Sequence, residues 1–237
     1  MSPYDPLGAR ALSRREPIIR DLLKRHGPCP VAPKPGTEPY HALVRSVVYQ
    51  QLSGKAAGTI HGRVLALFPA PHPTPQQILD MEPEKLRGAG LSGNKLLAIQ
   101  DIARKALDGA IPKSGEIDHL PDEDIIQRLI TVRGIGRWSV EMFLIFNLGR
   151  PDVWPIDDLG VRKGYGLAFG METPKAKELA ALGEQWKPHR TLVAWLMWRA
   201  CDDPALLVRA KAAPEAVAAP PTRLAAPKPK PKAAGKK

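Results

Sequence analysis

Apolar residues recur along this chain at spacings of three and four rather than two, so nearly every periodic segment predicts a helix. Ile18, Ile19, Leu22 and Leu23 form one stripe within residues 16–26, and Gly27-Pro28 stops it. Residues 30–39 are a Pro-rich connector. Residues 40–48 and 55–68 follow as two helices separated by the polar turn Gln50-Gln51-Leu52-Ser53-Gly54. Shorter segments at 74–80 and 83–87 precede a longer helix at 93–107. Pro121-Asp122-Glu123-Asp124 opens the next, with an acidic first turn that suits the positive end of the helix dipole. It runs to Thr131, and a glycine loop leads into 137–148. A short helix after Asp158 reaches Tyr165, and others span 174–182 and 191–201. Alternating runs rich in β-branched residues, the mark of strands, are missing. The expected fold class is all-α.

Length and charge narrow the picture. A chain of 237 residues can bury a sizeable core, as one domain or two small lobes. Its net charge of +11 suggests a polyanionic partner. That charge is uneven: residues 212–237 hold six Lys/Arg and one Glu, so the body is only moderately basic. This tail is mostly Ala, Pro and Lys with almost nothing to bury, and its composition predicts disorder. Its Lys-Pro alternation at 227–232 reads equally as a mobile cation for DNA and as a solubilising extension. Cys29 and Cys201 are too few for a four-cysteine zinc or iron–sulfur site, and the six histidines lack ligand spacing. No apolar run resembles a signal peptide or approaches the ~20 residues of a membrane span, so a soluble protein of a reducing compartment is expected.

The richest segment is Leu129-Ile130-Thr131-Val132-Arg133-Gly134-Ile135-Gly136-Arg137-Trp138, with Pro155-Ile156-Asp157-Asp158 downstream. A Gly-x-Gly between two amphipathic helices lets bare backbone approach a phosphate, with amides exposed at the start of the second helix where the dipole favours an anion. Gly134 and Gly136 permit the turn, and Arg137 adds charge. The same glycines could simply relieve strain at a helix corner, but Leu129, Val132 and Ile135 supply the apolar pegs of a helix-hairpin-helix. Asp157 and Asp158 could both cap the helix that follows.

Taken together, Gly-Ile-Gly-Arg-Trp, the Asp pair with Leu159-Gly160-Val161-Arg162-Lys163 behind it, Trp186-Lys187-Pro188-His189-Arg190 and Tyr49-Gln50-Gln51-Leu52-Ser53-Gly54-Lys55 resemble the helix-hairpin-helix DNA glycosylases. The resemblance covers residues 16–209 and is closest to the DNA-3-methyladenine glycosylase II branch, in a compact form without the extra N-terminal α/β domain of some members. It implies that Asp158 is the catalytic carboxylate, stabilising the oxocarbenium-like sugar and orienting water, with capping left to Asp157. Bifunctional members place a lysine nucleophile two residues beyond the second hairpin glycine. Here that position is Trp138, which excludes a Schiff base there and implies simple hydrolysis. Trp138 and Trp198 occupy positions resembling the base pocket, where an indole face attracts a cationic alkylated purine; Met142 stands where some members have an aromatic. Trp154 and Trp186 read as core. Gln50, Gln51, Leu52 and Ser53 match the loop that enters the minor groove, with Gln51 or Leu52 as the wedge that fills the gap left by a flipped base. Lys55 and Lys95, near helix starts, are more simply solvated surface cations than phosphate contacts. The carbonyls of Ile130, Val132 and Ile135 resemble those that hold an alkali ion in related hairpins. No cofactor is implied.

The resemblance implies two helical lobes with the active-site cleft between them near Asp158: residues 39–150 carrying the hairpin, and 16–38 with 151–211 forming the other, after an N-terminal extension at 1–15. The expected activity is monofunctional removal of alkylated purines, 3-methyladenine and 7-methylguanine, in base excision repair. Double-stranded DNA is the partner and a monomer the expected state, in the bacterial cytoplasm with the nucleoid or in a eukaryotic nucleus. The rivals are a glycosylase of shifted specificity (hypoxanthine, ethenoadenine, 1-methyladenine) and a non-catalytic DNA-binding module, which would need neither Asp158 nor the tryptophans. Deleting residues 212–237 should leave single-turnover base release at saturating DNA unchanged while flattening the salt dependence of non-specific binding. Binding measured across a salt series checks this, and parallel slopes for full-length and truncated protein would show that the tail does not touch DNA.

Overall fold

A computed structural model describes residues 6–34 and 38–212, and the tail expectation lies outside the described residues apart from Ala212. Among those described there is no strand. The helices in chain order are α1 (Pro6–Arg15), α2 (Pro17–His26), α3 (Pro39–Tyr49), α4 (Gly54–Leu65), α5 (Pro75–Asp80), α6 (Pro83–Gly88) and α7 (Gly93–Leu107). They continue with α8 (Ser114–Ile117), α9 (Asp122–Leu129), α10 (Arg137–Phe146), α11 (Leu159–Phe169), α12 (Ala176–Gly183), α13 (Arg190–Cys201) and α14 (Pro204–Ala212). A 3-10 turn at Glu184–Trp186 links α12 to α13.

Local chemistry sets the boundaries. Ser53, Thr74 and Ser92 cap α4, α5 and α7 through side-chain oxygens, and Gln77 completes a reciprocal box with Thr74. Proline sits in the first turn of α2, α3, α5 and α6, where its missing N–H costs nothing. The apolar stripes then sort the helices into two lobes. One is built from α3–α7, α9 and α10; the other packs α2 on α1 and α13, and α11 and α14 on α13. Residues 6–15, set apart in sequence as an extension, are a helix that buries Ala9 and Leu12 against this second lobe.

The helices that periodicity missed have clear reasons. α8 is four residues long, too short for a repeat to register, and α14 has little amphipathic contrast. α11 runs past Tyr165 to Phe169, and glycine rather than a large apolar residue forms part of its packing face. A Cβ on Gly164 would overlap the Met197 carbonyl, so α11 and α13 approach almost backbone to backbone. The crossover between lobes is pinned as well. Arg150 donates to the carbonyls of Ile117, Asp118 and Leu120 at 3.0, 3.2 and 3.0 Å. Arg190 grips Asp152 at 2.8 and 3.0 Å.

One charge is buried at a cost. Glu141, in α10, is 4% exposed; Oε1 accepts from Arg137 Nε at 3.3 Å, and Oε2 has no partner among the described residues. Burial pushes its pKa up to about 7; Arg137 opposes that shift, and Asp157 and Asp158 add to it. The folded pKa therefore lies above the unfolded value of 4.5. Such a group leaves stability intact below the unfolded pKa and erodes it as pH rises through the folded one. Relative to Glu141→Gln, the wild type should lose on the order of 3 kcal/mol between about pH 5 and pH 8. Urea unfolding of both proteins at the two pH values tests this, and parallel pH profiles would refute it.

Candidate active site and DNA interface

The hairpin lies between α9 and α10, with Leu129, Val132 and Ile135 buried as its pegs. Gly134 has φ +76°, a left-handed conformation that L side chains rarely adopt, so the backbone itself requires glycine there. Gly136 differs: it is extended at φ −98°, and a Cβ would meet nothing within 4 Å. The protein's own packing gives no reason for glycine at 136, whereas open space before the first amides of α10 suits a close-approaching anion. Arg137 does not point freely into that space. Its guanidinium is held bidentate by Glu123 at 3.1 and 2.8 Å, with Glu141 at its other side.

Asp158 is the centre of the site. It is 9% exposed and stands at the start of α11, where Oδ1 accepts the Val161 amide at 2.8 Å. Asp158 is therefore the cap, and the assignment of capping to Asp157, which is exposed, is corrected. A residue caps from the position just before the first helical turn, and α11 begins at Leu159, one residue after Asp158. Trp198 Nε1 also donates to Oδ1, at 2.9 Å, and Trp138 Nε1 donates to Oδ2 at 2.8 Å. The two tryptophans and the aspartate picked from sequence thus form one hydrogen-bonded cluster reaching from α10 to α11 and α13. Among the described residues, Oδ1 accepts two hydrogen bonds and Oδ2 one, which leaves a lone pair of Oδ2 open.

Beside this cluster runs a cleft of about 910 Å³. Trp138, Met142 and Phe146 line one wall, four residues apart and so on one face of α10. Trp198 is not part of the lining; it stacks on Phe146 with ring centroids 5.6 Å apart. The rest of the wall includes the rings of Tyr40, His41, Tyr49, His61 and His72 together with the cations Lys34 and Arg45. Arg45 lies over the Tyr49 ring at 4.1 Å. Burial holds the His41 and His61 imidazoles below their ordinary range, so both are neutral at pH 7. None of the residues lining the cleft is an aspartate or glutamate. This wall escaped the sequence reading because its rings lie on α3, on α4 and near residue 72 with no common spacing. The four-residue repeat 138, 142, 146 was the available signal for Phe146.

The turn after α3 splits its four candidate residues into two pairs. Gln50 reaches the hairpin, donating Nε2 to the Gly134 carbonyl at 3.1 Å, and Ser53 caps α4. Gln51 and Leu52 are exposed at the tip, and Gln51 has φ 57°, which costs a non-glycine residue about 1–3 kcal/mol. Lys95 is no solvated surface cation, since its ammonium binds backbone carbonyls of this turn. Trp154 and Trp186 are buried, as core residues. Among the described residues no helix is long and apolar enough to cross a membrane, and no cluster of His, Cys, Asp or Glu could hold a metal.

Comparison with known proteins identifies the family. Residues 44–189 match the family model described as HhH-GPD superfamily base excision DNA repair protein. DNA-3-methyladenine glycosylase 1 of Schizosaccharomyces pombe is 40% identical over 164 residues, 68% of this chain and 72% of the relative. The solved structure of the 3-methyladenine DNA glycosylase of that yeast in complex with abasic DNA superposes with TM-score 0.71 at 36% identity, covering 83% of this chain and 97% of that one. The DNA-3-methyladenine glycosidase of Bacillus halodurans gives TM-score 0.75 at 30% identity, over 86% and 93% of the two chains. The family match spans more than half of the chain, and the chain belongs to the HhH-GPD superfamily of base excision DNA repair proteins.

Proposed function

We propose that this protein is a monofunctional DNA glycosylase that hydrolyses the N-glycosidic bond of alkylated purines, 3-methyladenine and 7-methylguanine, in base excision repair. The observation that carries the reading is the Asp158 carboxylate fixed by two indole N–H groups and its own helix, beside an aromatic cleft whose lining has no carboxylic acid. A base alkylated at N3 or N7 is already cationic and leaves without being protonated, so the missing acid favours it over neutral lesions. As the C1′–N bond breaks, the electron pair departs with the base, which becomes neutral, and positive charge develops on the sugar. The open lone pair of Asp158 Oδ2 faces that charge in the role of electrostatic stabiliser. Water then adds its oxygen to C1′ and releases a proton, leaving an abasic site.

The remaining residues divide the physical work. The flipped base enters the cleft against Trp138, a residue 46% exposed that offers its electron-rich face to a cation. Gln51 or Leu52 takes the vacated place in the duplex. Gly134, Gly136 and the first amides of α10 hold a phosphate, and Arg137 joins them by exchanging Glu123 for the phosphate. The carbonyls of Ile130, Val132 and Ile135 are neutral oxygen donors of the kind that replaces an alkali ion's hydration shell. Val132 already accepts from the Ile135 amide at 3.1 Å and, among the described residues, keeps its second lone pair. The protein acts as a monomer in the compartment that holds the cell's DNA.

The deciding experiment is release of free bases from methylated duplex DNA, identified chromatographically. Strands should remain intact until alkali is added, and borohydride should trap no covalent adduct, since Trp138 offers no amine. An adduct would overturn the monofunctional reading. Asp158→Asn should abolish release while retaining duplex binding. Asn caps helices about as well as Asp, and the amide that now meets the Trp138 N–H can be relieved because that ring reaches solvent. Single-turnover release within about tenfold of wild type, a barrier change of only ~1.4 kcal/mol, would refute a catalytic Asp158.

A further inference from the structure

Lys95 stands in the first turn of α7, the end of a helix where its dipole disfavours a cation. The ammonium turns away to the last turn of α3 instead. Nζ donates to the Val48 carbonyl at 2.7 Å and to the Gln50 carbonyl at 2.8 Å. These belong to the carbonyls left without partners as α3 ends, where a helix dipole favours a cation. Immediately beyond stands Gln51, the one non-glycine residue with positive φ among those described. The ammonium therefore fastens the backbone on the N-terminal side of the strained residue at the tip of the turn.

The same face of α7 also holds the hairpin. Ala98 packs under Gly134, where a Cβ would lie 3.5 Å from its own, and Asp101 accepts the Arg133 amide at 2.8 Å. Residues 95, 98 and 101 follow one another at intervals of three, a single stripe of one helix. Gln50, donating to the Gly134 carbonyl at 3.1 Å, closes the circuit from the turn back to the hairpin. Two loops separated by more than eighty residues of sequence are thus fixed to one rigid helix and to each other.

We propose that Lys95 is a positioning residue for base flipping, holding the wedge turn in register with the phosphate-binding hairpin so that both engage one stretch of duplex at the correct separation. The inference rests on the glycosylase reading above. A wedge displaced by about an ångström would still leave the hairpin able to grip phosphate, but it would no longer fill the gap behind the extruded base. The loss then falls on flipping and on the chemical step, not on non-specific binding. Desolvation holds the Lys95 pKa below its ordinary range, as expected for an ammonium committed to protein carbonyls.

The test compares wild type with Lys95→Met, which keeps the stem and removes the donors, and with Lys95→Arg, which restores donors to the two carbonyls. Three readouts are taken on the full chain: affinity for undamaged duplex, single-turnover release of 7-methylguanine, and fluorescence of a 2-aminopurine placed beside the lesion. Lys95→Met should bind undamaged duplex within about twofold of wild type, yet release base about 10- to 100-fold more slowly and show less of the fluorescence rise that reports unstacking. Lys95→Arg should recover most of both. Wild-type release and fluorescence in Lys95→Met would overturn the proposal. So would a loss of undamaged-duplex affinity matching the loss of release, which is the signature of a phosphate contact. Failure of the wild type to release base would instead sink the glycosylase reading, and the fluorescence arm would still judge Lys95. If Lys95→Met does not fold, Gln50→Leu opens the circuit on its other side and should slow release in the same pattern; unchanged release there would equally refute the coupled register.

Discussion

A carboxylate taken out of water must be repaid with hydrogen bonds, and at Asp158 the repayment determines how the molecule is assembled. One donor is the Val161 amide of its own helix, and the other two are indoles from α10 and α13. Since α10 belongs to the lobe that carries the hairpin and α13 to the other, the bonds that satisfy the carboxylate also fix one lobe against the other. Any shift between lobes would strip a donor from a 9% exposed charge. The position of the Asp158 carboxylate is therefore defined by three elements at once. That is the kind of over-determination needed to hold a charge where a transition state will develop its own.

Helix α10 carries several duties because its faces are separated cleanly by the helical repeat. Its first turn presents unpaired amides beyond Gly136, and its 138, 142, 146 stripe forms a wall of the cleft. Val140 and Leu144 meanwhile go into the core. Glu141 is the residue for which no face is comfortable. Buried next to the core, with only Arg137 for a partner among the described residues and two aspartates acting on it, it has a carboxyl whose pKa is pushed up to about 7. Arg137 in turn is held by Glu123, so the charge expected at the phosphate site is delivered only if phosphate outcompetes a carboxylate pair. At an exposed surface that pair is worth little, on the order of 1 kcal/mol or less, and the exchange is inexpensive.

Most of this was legible before the fold was known, for reasons that differ by element. Long helices announce themselves because burial imposes the 3.6 repeat, and α2, α7 and α13 were read within a residue or two of their ends. The hairpin and Asp158 were legible because glycine and aspartate carry backbone and charge requirements that few other residues meet. What stayed hidden depends on contacts distant in sequence. Nothing local marks Lys95 as a clamp rather than a solvated cation, since its partners lie more than forty residues earlier. The rings at 41, 61 and 72 form a wall only after α3 and α4 fold together. The Asp157 and Asp158 assignment failed because two adjacent acids make equally plausible caps until the first helical residue is fixed, and here the residue proposed for catalysis is the one that caps α11.

That capping bears on the chemistry proposed for Asp158. A cap binds its carboxylate to the helix through the amide of Val161, and this bond, with the Trp198 indole, uses up Oδ1 entirely. Only Oδ2 retains a lone pair, and it too is already committed to Trp138. A carboxylate so thoroughly hydrogen-bonded is a poor candidate for a nucleophile that must swing onto C1′, because forming that bond would break its cap and its indole contacts together. It is well suited to standing still as a charge beside a sugar that becomes cationic. The cleft agrees: its lining includes no aspartic or glutamic acid to push a neutral base out, and burial lowers the pKa values of its His41 and His61 and favours their neutral forms. With no attacking group and no carboxylic acid in the lining to assist departure, the proposed reaction draws on a leaving group that is unstable on its own. A purine made cationic by alkylation meets that requirement, and an intact base does not. Discrimination against undamaged DNA is thus built into the modesty of the chemistry.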